Sequence, residues 1–158
     1  MRIVKKSNVV LAFVLTLCLV LSAHSENFSQ GDITVETLWV KKSDTGDNRA
    51  EGYALIHNGG FDEDRLVSIR SDFAKRIVIH QTVNEYGKIT MEKIEAPLTI
   101  EPNGYLELKP GGYHFMFFNC QDELRDGEMI PAILHFEKNG DVKVNFTIEA
   151  EDDKPDNP

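Results

Sequence analysis

Cysteine is scarce in this chain. Only Cys18 and Cys120 occur among 158 residues, and Cys18 lies in an apolar run near the start. Cys120 alone is left for the folded part, so no intrachain disulfide is expected and stability must come from an ordinary hydrophobic core. There is no C-x-x-C pair, so a thioredoxin-like redox role finds no support. Basic residues are also in deficit, 17 against 26 acidic ones, and three of the 17 fall within residues 1–25, which hold no acidic residue. The remaining 133 residues therefore carry a formal charge of −12 with histidine neutral. Such acidity argues against nucleic acid and anionic membrane as partners and suits cations or a basic protein patch. It equally serves to keep an exported protein in solution. No Gly-x-Ser-x-Gly elbow marks an acyl-transfer site, and no segment shows a sustained helical period of apolar residues. Without a helix, a phosphate-cradling loop has nothing to open into. The chain is not expected to be an enzyme.

What is present begins with a leader. Arg2, Lys5 and Lys6 precede an almost unbroken apolar run from Val9 to Leu21, and small residues follow at Ser22, Ala23 and Ser25. This is the pattern of a secretory signal peptide cleaved near residues 23–25, and the run is short for a spanning helix. Cys18 lacks the small residues just before it that lipid attachment needs, so a lipoprotein is not expected. The expected organisation is a leader over residues 1–25, one domain over 26–150, and an acidic, mobile tail over 151–158. Periplasmic export follows from the leader.

Within the domain, about nine short β-like runs are separated by Gly, Pro and Asn turns. They cover residues 33–42, 52–57, 65–70, 76–83, 88–94, 105–109, 113–120, 129–138 and 141–150. Glu85 to Lys88 and Asn139-Gly140 read as hairpin connections. Ile33, Val35 and Trp39 are expected to share one face of the first run. The fold class is all-β, an antiparallel Greek-key sandwich or barrel.

The stretch from Pro110 to Cys120 (Pro-Gly-Gly-Tyr-His-Phe-Met-Phe-Phe-Asn-Cys) is the chemical centre of the chain. Strand alternation puts His114 and Met116 on one face, with Cα atoms roughly 6.6 Å apart, and Tyr113, Phe115 and Phe117 on the other. An imidazole beside a thioether is half of a soft-metal site. His80 and Met91 can supply the other half. A turn at 85–88 pairs His80 with residue 93 and leaves Met91 a diagonal neighbour on the same face. Two imidazoles and two thioethers suit copper(I) and suit hard cations and zinc poorly. Each methionine has an alternative role as a filler of core gaps, and His80 as a surface or hydrogen-bonded histidine. Cys120 shares the parity of His114 and either extends the ligand set or is a small buried hydrophobe. His57 and His135 stand singly, and His24 falls at the cleavage region.

A resemblance adds to this reading. It is carried by Trp39-Val40, Gly52-Tyr53, Asn58-Gly59-Gly60, Asp64-Arg65-Leu66, Val78-Ile79-His80, Met91 and Gly111-Gly112-Tyr113-His114-x-Met116. The order resembles that of the periplasmic copper chaperone family PCu(A)C, over about residues 32 to 150. The resemblance implies a cupredoxin-like sandwich holding copper(I) through His80, Met91, His114 and Met116. It implies delivery to the copper centre of cytochrome c oxidase subunit II, beside Sco-type proteins. Sequestration of copper without an obligatory acceptor is the alternative, and a metal-free interaction module a further one. Phe118 and Asn119-Cys120 depart from the family's pattern, and the acidic tail lacks the His/Met-rich extension of some members.

Overall fold

The computed structural model describes residues 26–42, 48–95, 97–120 and 124–149. The leader, most of the loop after Lys42, the start of the linker after Cys120 and the acidic tail lie outside the described residues. Among those described there is no helix. Eleven strands form: β1 (Phe28–Gln30), β2 (Ile33–Lys42), β3 (Arg49–Asn58), β4 (Asp64–Arg70), β5 (Ala74–Glu85), β6 (Lys88–Ile94), β7 (Leu98–Ile100), β8 (Tyr105–Leu108), β9 (Tyr113–Cys120), β10 (Met129–Phe136) and β11 (Gly140–Ile148). The nine expected runs are all present. The two additions, β1 and β7, span three residues each, too few for alternation to show.

The strands hydrogen-bond in the order β6-β5-β9-β8-β3-β2-β11-β10-β4-β7, with β1 on β2 and a further pairing of β9 with β3. The path curls back on itself. Phe146 of β11 meets Phe115 and Phe117 of β9 edge-to-face, at 6.0 and 5.9 Å between centroids, although several strands separate them along the sheet. The result is an all-β sandwich closed over one apolar core. It is mixed rather than purely antiparallel, because β11 runs parallel to β2 and β8 parallel to β9.

Alternation explains most of the core. The inward face of β9 is Phe115 and Phe117, that of β10 is Ile130, Ala132, Leu134 and Phe136, and that of β11 is Val142, Val144, Phe146 and Ile148. Gly52 lets β3 pack closely against this layer: a Cβ there would stand 2.6 Å from the Phe117 ring. In β2 the alternation breaks. Thr37 has a left-handed φ of 54°, and the β2–β3 register shifts between Glu36 and Trp39. This bulge changes the parity, so Ile33 and Val35 hand the buried face to Leu38 and Val40. Trp39 therefore does not share the face of Ile33 and Val35. It pairs with Tyr53 and turns to the outer side.

Two motifs of the resemblance brace the end of the sandwich. Asn58 is fully buried; its amide donates to the carbonyls of Asp62 and Ile100 and its oxygen accepts from Gly60 N. Asp64, also buried, accepts from the backbone N–H groups of Arg65, Lys138 and Asn139 and from the Asn139 side chain. One carboxylate thus ties β4 to the β10–β11 turn. Burial alone would raise its pKa, but the bonds from Asn139, Lys138 and Arg65 outweigh it and hold the carboxyl below its ordinary value of 3.8. A depressed carboxyl pKa means stability that is complete above the unfolded value and lost as pH falls through the folded one. Asp64→Asn should lower unfolding stability by about 2–3 kcal/mol at neutral pH and flatten the acid limb below pH ~4. Denaturant melts at several pH values check both; an unchanged acid limb would remove Asp64 as its source.

Candidate metal centre

The hairpin and the β5–β9 ladder decide which side chains meet. Tyr86 and Gly87, at φ 53° and 85°, make a two-residue turn between Glu85 and Lys88. Both positive angles match the twist that favours tight hairpins. From that turn the register runs back to place His80 opposite Lys93 and Met91 opposite Thr82. Met91 is thus the diagonal neighbour of His80, as the turn length predicts. On the other side of β5, His80 lies directly opposite His114, and Val78 opposite Met116. Thr82 N donates to Gly112 O at 3.0 Å, which secures this register at the mouth of β9.

The register places the two histidines face to face, with Met91 and Met116 each a diagonal neighbour of His80. The imidazole centroids of His80 and His114 are 5.8 Å apart, nearly perpendicular at 82°. His114 and Met116 are buried, at 1% and 4% exposure, although they sit on the face turned away from the phenylalanine core. Met91 is 49% exposed and forms the rim on the edge strand. His114 Nδ1 lies 3.1 Å from the Gly112 carbonyl. A carbonyl can only accept, so Nδ1 carries the proton and Nε2 presents its lone pair. That Nε2 is buried with no partner among the described residues, and so is His80 Nδ1. Two unpartnered imidazole nitrogens on facing residues are uncommon in a folded protein. They fit a ligand that accepts lone pairs.

The surroundings of His80 disfavour its charged form. Burial, then the facing His114 and Arg76, lower its pKa; Glu51 acts in the opposite sense and Lys93 adds to the lowering. The floor of the site comes from β3 and β2. Glu51 is opposite Met116 across β3–β9, and the Tyr53 hydroxyl donates to Glu51 Oε2. The Tyr53 ring is 6.3 Å from His114 and 4.3 Å from Trp39. Beside Met116, Phe118 lies between Arg76 and Arg49, whose guanidinium carbons stand 4.3 and 5.2 Å from its centroid. Glu51 escaped sequence reasoning altogether. Trp39 and Tyr53 appear in the resemblance only as motif letters, because the bulge that turns Trp39 outward leaves no compositional trace.

The other candidates separate. Cys120 joins the core cluster at 7% exposure, and burial pushes its thiol pKa up, so it is the small buried hydrophobe and not a thiolate ligand. Its neighbour Asn119 has a left-handed φ of 53°, and the alternation that gave Cys120 the parity of His114 ends there. His57 stacks on Tyr105 at 4.4 Å, and His135 Nδ1 pairs with Asp141 at 2.7 Å. His24 and Cys18 lie outside the described residues. Among the described residues no three His, Cys, Asp or Glu side chains converge as a metal site.

Residues 33–148 match the family described as "Putative lipoprotein LpqE-like". The chain belongs to the LpqE-like family. A relative in Rickettsia prowazekii (strain Madrid E), RP573, is 33% identical over 93 residues, which are 59% of this chain and 50% of that protein. The chain thus spans about half the length of that curated relative. Among solved structures, the apo PCuAC domain from PmoF1 is 29% identical with a TM-score of 0.68, covering 79% of this chain and 99% of that domain. The copper-bound PCuAC domain from PmoF2, 23% identical, aligns with a TM-score of 0.67 over 79% of this chain and 98% of its own. The fold is therefore that of the cupredoxin-like PCuAC domains, and the resemblance in the sequence is of family as well as fold. The family is described as lipoprotein, whereas the sequence alone leads us not to expect one; Cys18 lies outside the described residues.

A histidine whose folded pKa is depressed contributes stability that is complete above the unfolded value and is lost as pH falls through the folded one. In metal-free protein His80 should titrate below its ordinary value of 6.5. Resolved imidazole proton resonances followed by NMR between pH ~4 and ~8, a window that brackets the ordinary histidine value, measure this. Titration at or above the ordinary value would mean that the ring is solvated.

Proposed function

We propose that the protein binds copper(I) through His80, Met91, His114 and Met116 and carries it in the periplasm to an acceptor protein. The observation that supports this most is the facing pair of imidazoles, whose inward nitrogens, His80 Nδ1 and His114 Nε2, are buried and unpartnered beside Met116. Two neutral nitrogens and soft thioether sulfur match copper(I) better than zinc or hard cations. The copper-bound state of the PmoF2 domain, which shares the fold, is in keeping with this reading.

The arrangement suits a carrier. No thiol must lose a proton for the ion to bind, so uptake does not depend on thiol ionisation. His114 is fixed in its ligating tautomer by Gly112, as second-shell acceptors commonly do for metal-bound histidine. Met91, half-exposed on the edge strand, is the ligand an acceptor can displace first. Release then proceeds by ligand exchange from the open rim inward. The acceptor we favour is the copper centre of cytochrome c oxidase subunit II, with a Sco-type protein as intermediary or co-donor. Export and a cleaved leader over residues 1–25 belong to the same reading, and a family described as lipoprotein is in keeping with export. Sequestration would use the same ligands but needs no exchangeable rim.

An anaerobic copper(I) titration against a chromophoric chelator tests the site. Wild-type protein should bind one equivalent, with His114→Ala and Met116→Ala weakening it by at least ~100-fold and Met91→Ala by less, ~10-fold, each tenfold being about 1.4 kcal/mol. Equal binding by all four proteins would mean that these residues are not the ligands. Transfer to apo subunit II fragment, absent or present, separates storage from delivery.

A further inference from the structure

The ligand set proposed above is wholly neutral, yet its cargo is a cation entering a largely buried site. The cationic neighbours make this harder. Lys93 stands opposite His80 on the hairpin, and Arg49 and Arg76 flank Phe118 on the same outer face. An ion placed there without a compensating charge would be destabilised, since desolvation of an unpaired charge outweighs ordinary contacts.

Glu51 stands where such a compensating charge is needed. It is directly opposite Met116 across β3–β9, and its side chain is only 12% exposed. The Tyr53 hydroxyl donates to its Oε2, and Lys41 Nζ stands 3.9 Å from the same oxygen. The ring of Tyr53 reaches towards His114, so the carboxylate is tied to the floor of the pair and held by its partners rather than aimed freely at the ligands. Among the charges that act on His80, Glu51 is the one that favours positive charge at the site, against His114, Arg76 and Lys93.

We propose that Glu51 is the fixed counter-charge of the metal centre, a positioning residue that strengthens cation binding through space without ligating the ion. The inference rests on the copper-binding reading. Because Coulomb attraction scales with the charge of the ion, Glu51 favours copper(II) over copper(I) as well as copper(I) over the empty site. It therefore sets the reduction potential of the bound ion, and Lys41 opposes it.

Copper(I) dissociation constants from chelator competition, and midpoint potentials from redox titration, are compared for wild type, Glu51→Gln, Glu51→Asp and Lys41→Met. The amide oxygen that Glu51→Gln introduces still accepts from Tyr53, so this substitution removes charge while keeping the bond. Glu51→Gln should bind copper(I) about tenfold more weakly, the size of one partly screened unit charge a few ångström away. A further tenfold loss for copper(II) raises the midpoint by ~59 mV for this one-electron couple. Glu51→Asp should stay near wild type in both. Lys41→Met should move both in the opposite direction, to tighter binding and a lower potential. Glu51→Gln with unchanged affinity, or weakened with an unmoved potential, overturns the role and leaves the copper site standing. Wild type that takes up no copper(I) removes the site and this role together. If thermal unfolding shows that Glu51→Gln does not fold, Lys41→Met decides: no change in its affinity and potential overturns the proposal.

Discussion

The contact on which the rest depends is the pairing of β5 with β9. It sets His80 opposite His114, and it is secured from the inner face of β9. On the inner face Phe115 and Phe117 are locked against Phe146, and truncating such a buried ring typically costs about 3–5 kcal/mol. On the outer face the two imidazoles face each other with unpartnered nitrogens. The destabilisation those orphaned groups impose, about 1–3 kcal/mol each, is smaller than what the inner face contributes. The site can therefore be held ready without a metal to hold it. Because β9 supplies both the anchor and two of the candidate ligands, ligand geometry is inherited from core packing rather than from loops, which are poorer at holding a constellation.

The motif residues shared with the PCu(A)C pattern divide by physical duty. Asn58, Gly60 and Asp64 satisfy backbone groups around the β3–β4 and β10–β11 connections. Gly52 and Gly111-Gly112 serve approach and turning: one lets a phenylalanine lie on β3, the others open β9 and provide the carbonyl that orients His114. His80, Met91, His114 and Met116 are the groups proposed to carry the chemistry. A chain could keep the first two groups and lose the third, and it would still have the fold.

How far the sequence discloses this arrangement follows from what is local. Period-two alternation and turn residues are local, so nine strands, the 85–88 hairpin and the face shared by His114 and Met116 are legible. The diagonal relation of Met91 to His80 is legible for the same reason, since a tight turn counts residues from one side to the other. The opposition of His80 to His114 is not, because the β5–β9 pairing spans a long connection and nothing near either histidine encodes it. The Thr37 bulge is hidden too. A β-branched residue is a poor occupant of a left-handed conformation, so composition argues against the bulge that the β2–β3 register requires. With it goes the placement of Trp39, and behind Trp39 the Tyr53–Glu51 pair under the site.

That hidden layer bears on why the ligands alone do not describe the centre. Two imidazoles and two thioethers supply softness but no charge, and three cationic side chains stand on the same face. If neutral ligation were sufficient, nothing would favour a carboxylate tucked beneath Met116 and bonded by a buried tyrosine. Its presence is accounted for if, as proposed, the site holds a monovalent ion and gives it up through the exposed rim at Met91. On the proposed reading softness selects the metal, the carboxylate offsets its charge, and the greater exposure of Met91 than of His114 and Met116 sets the direction in which the ion can leave.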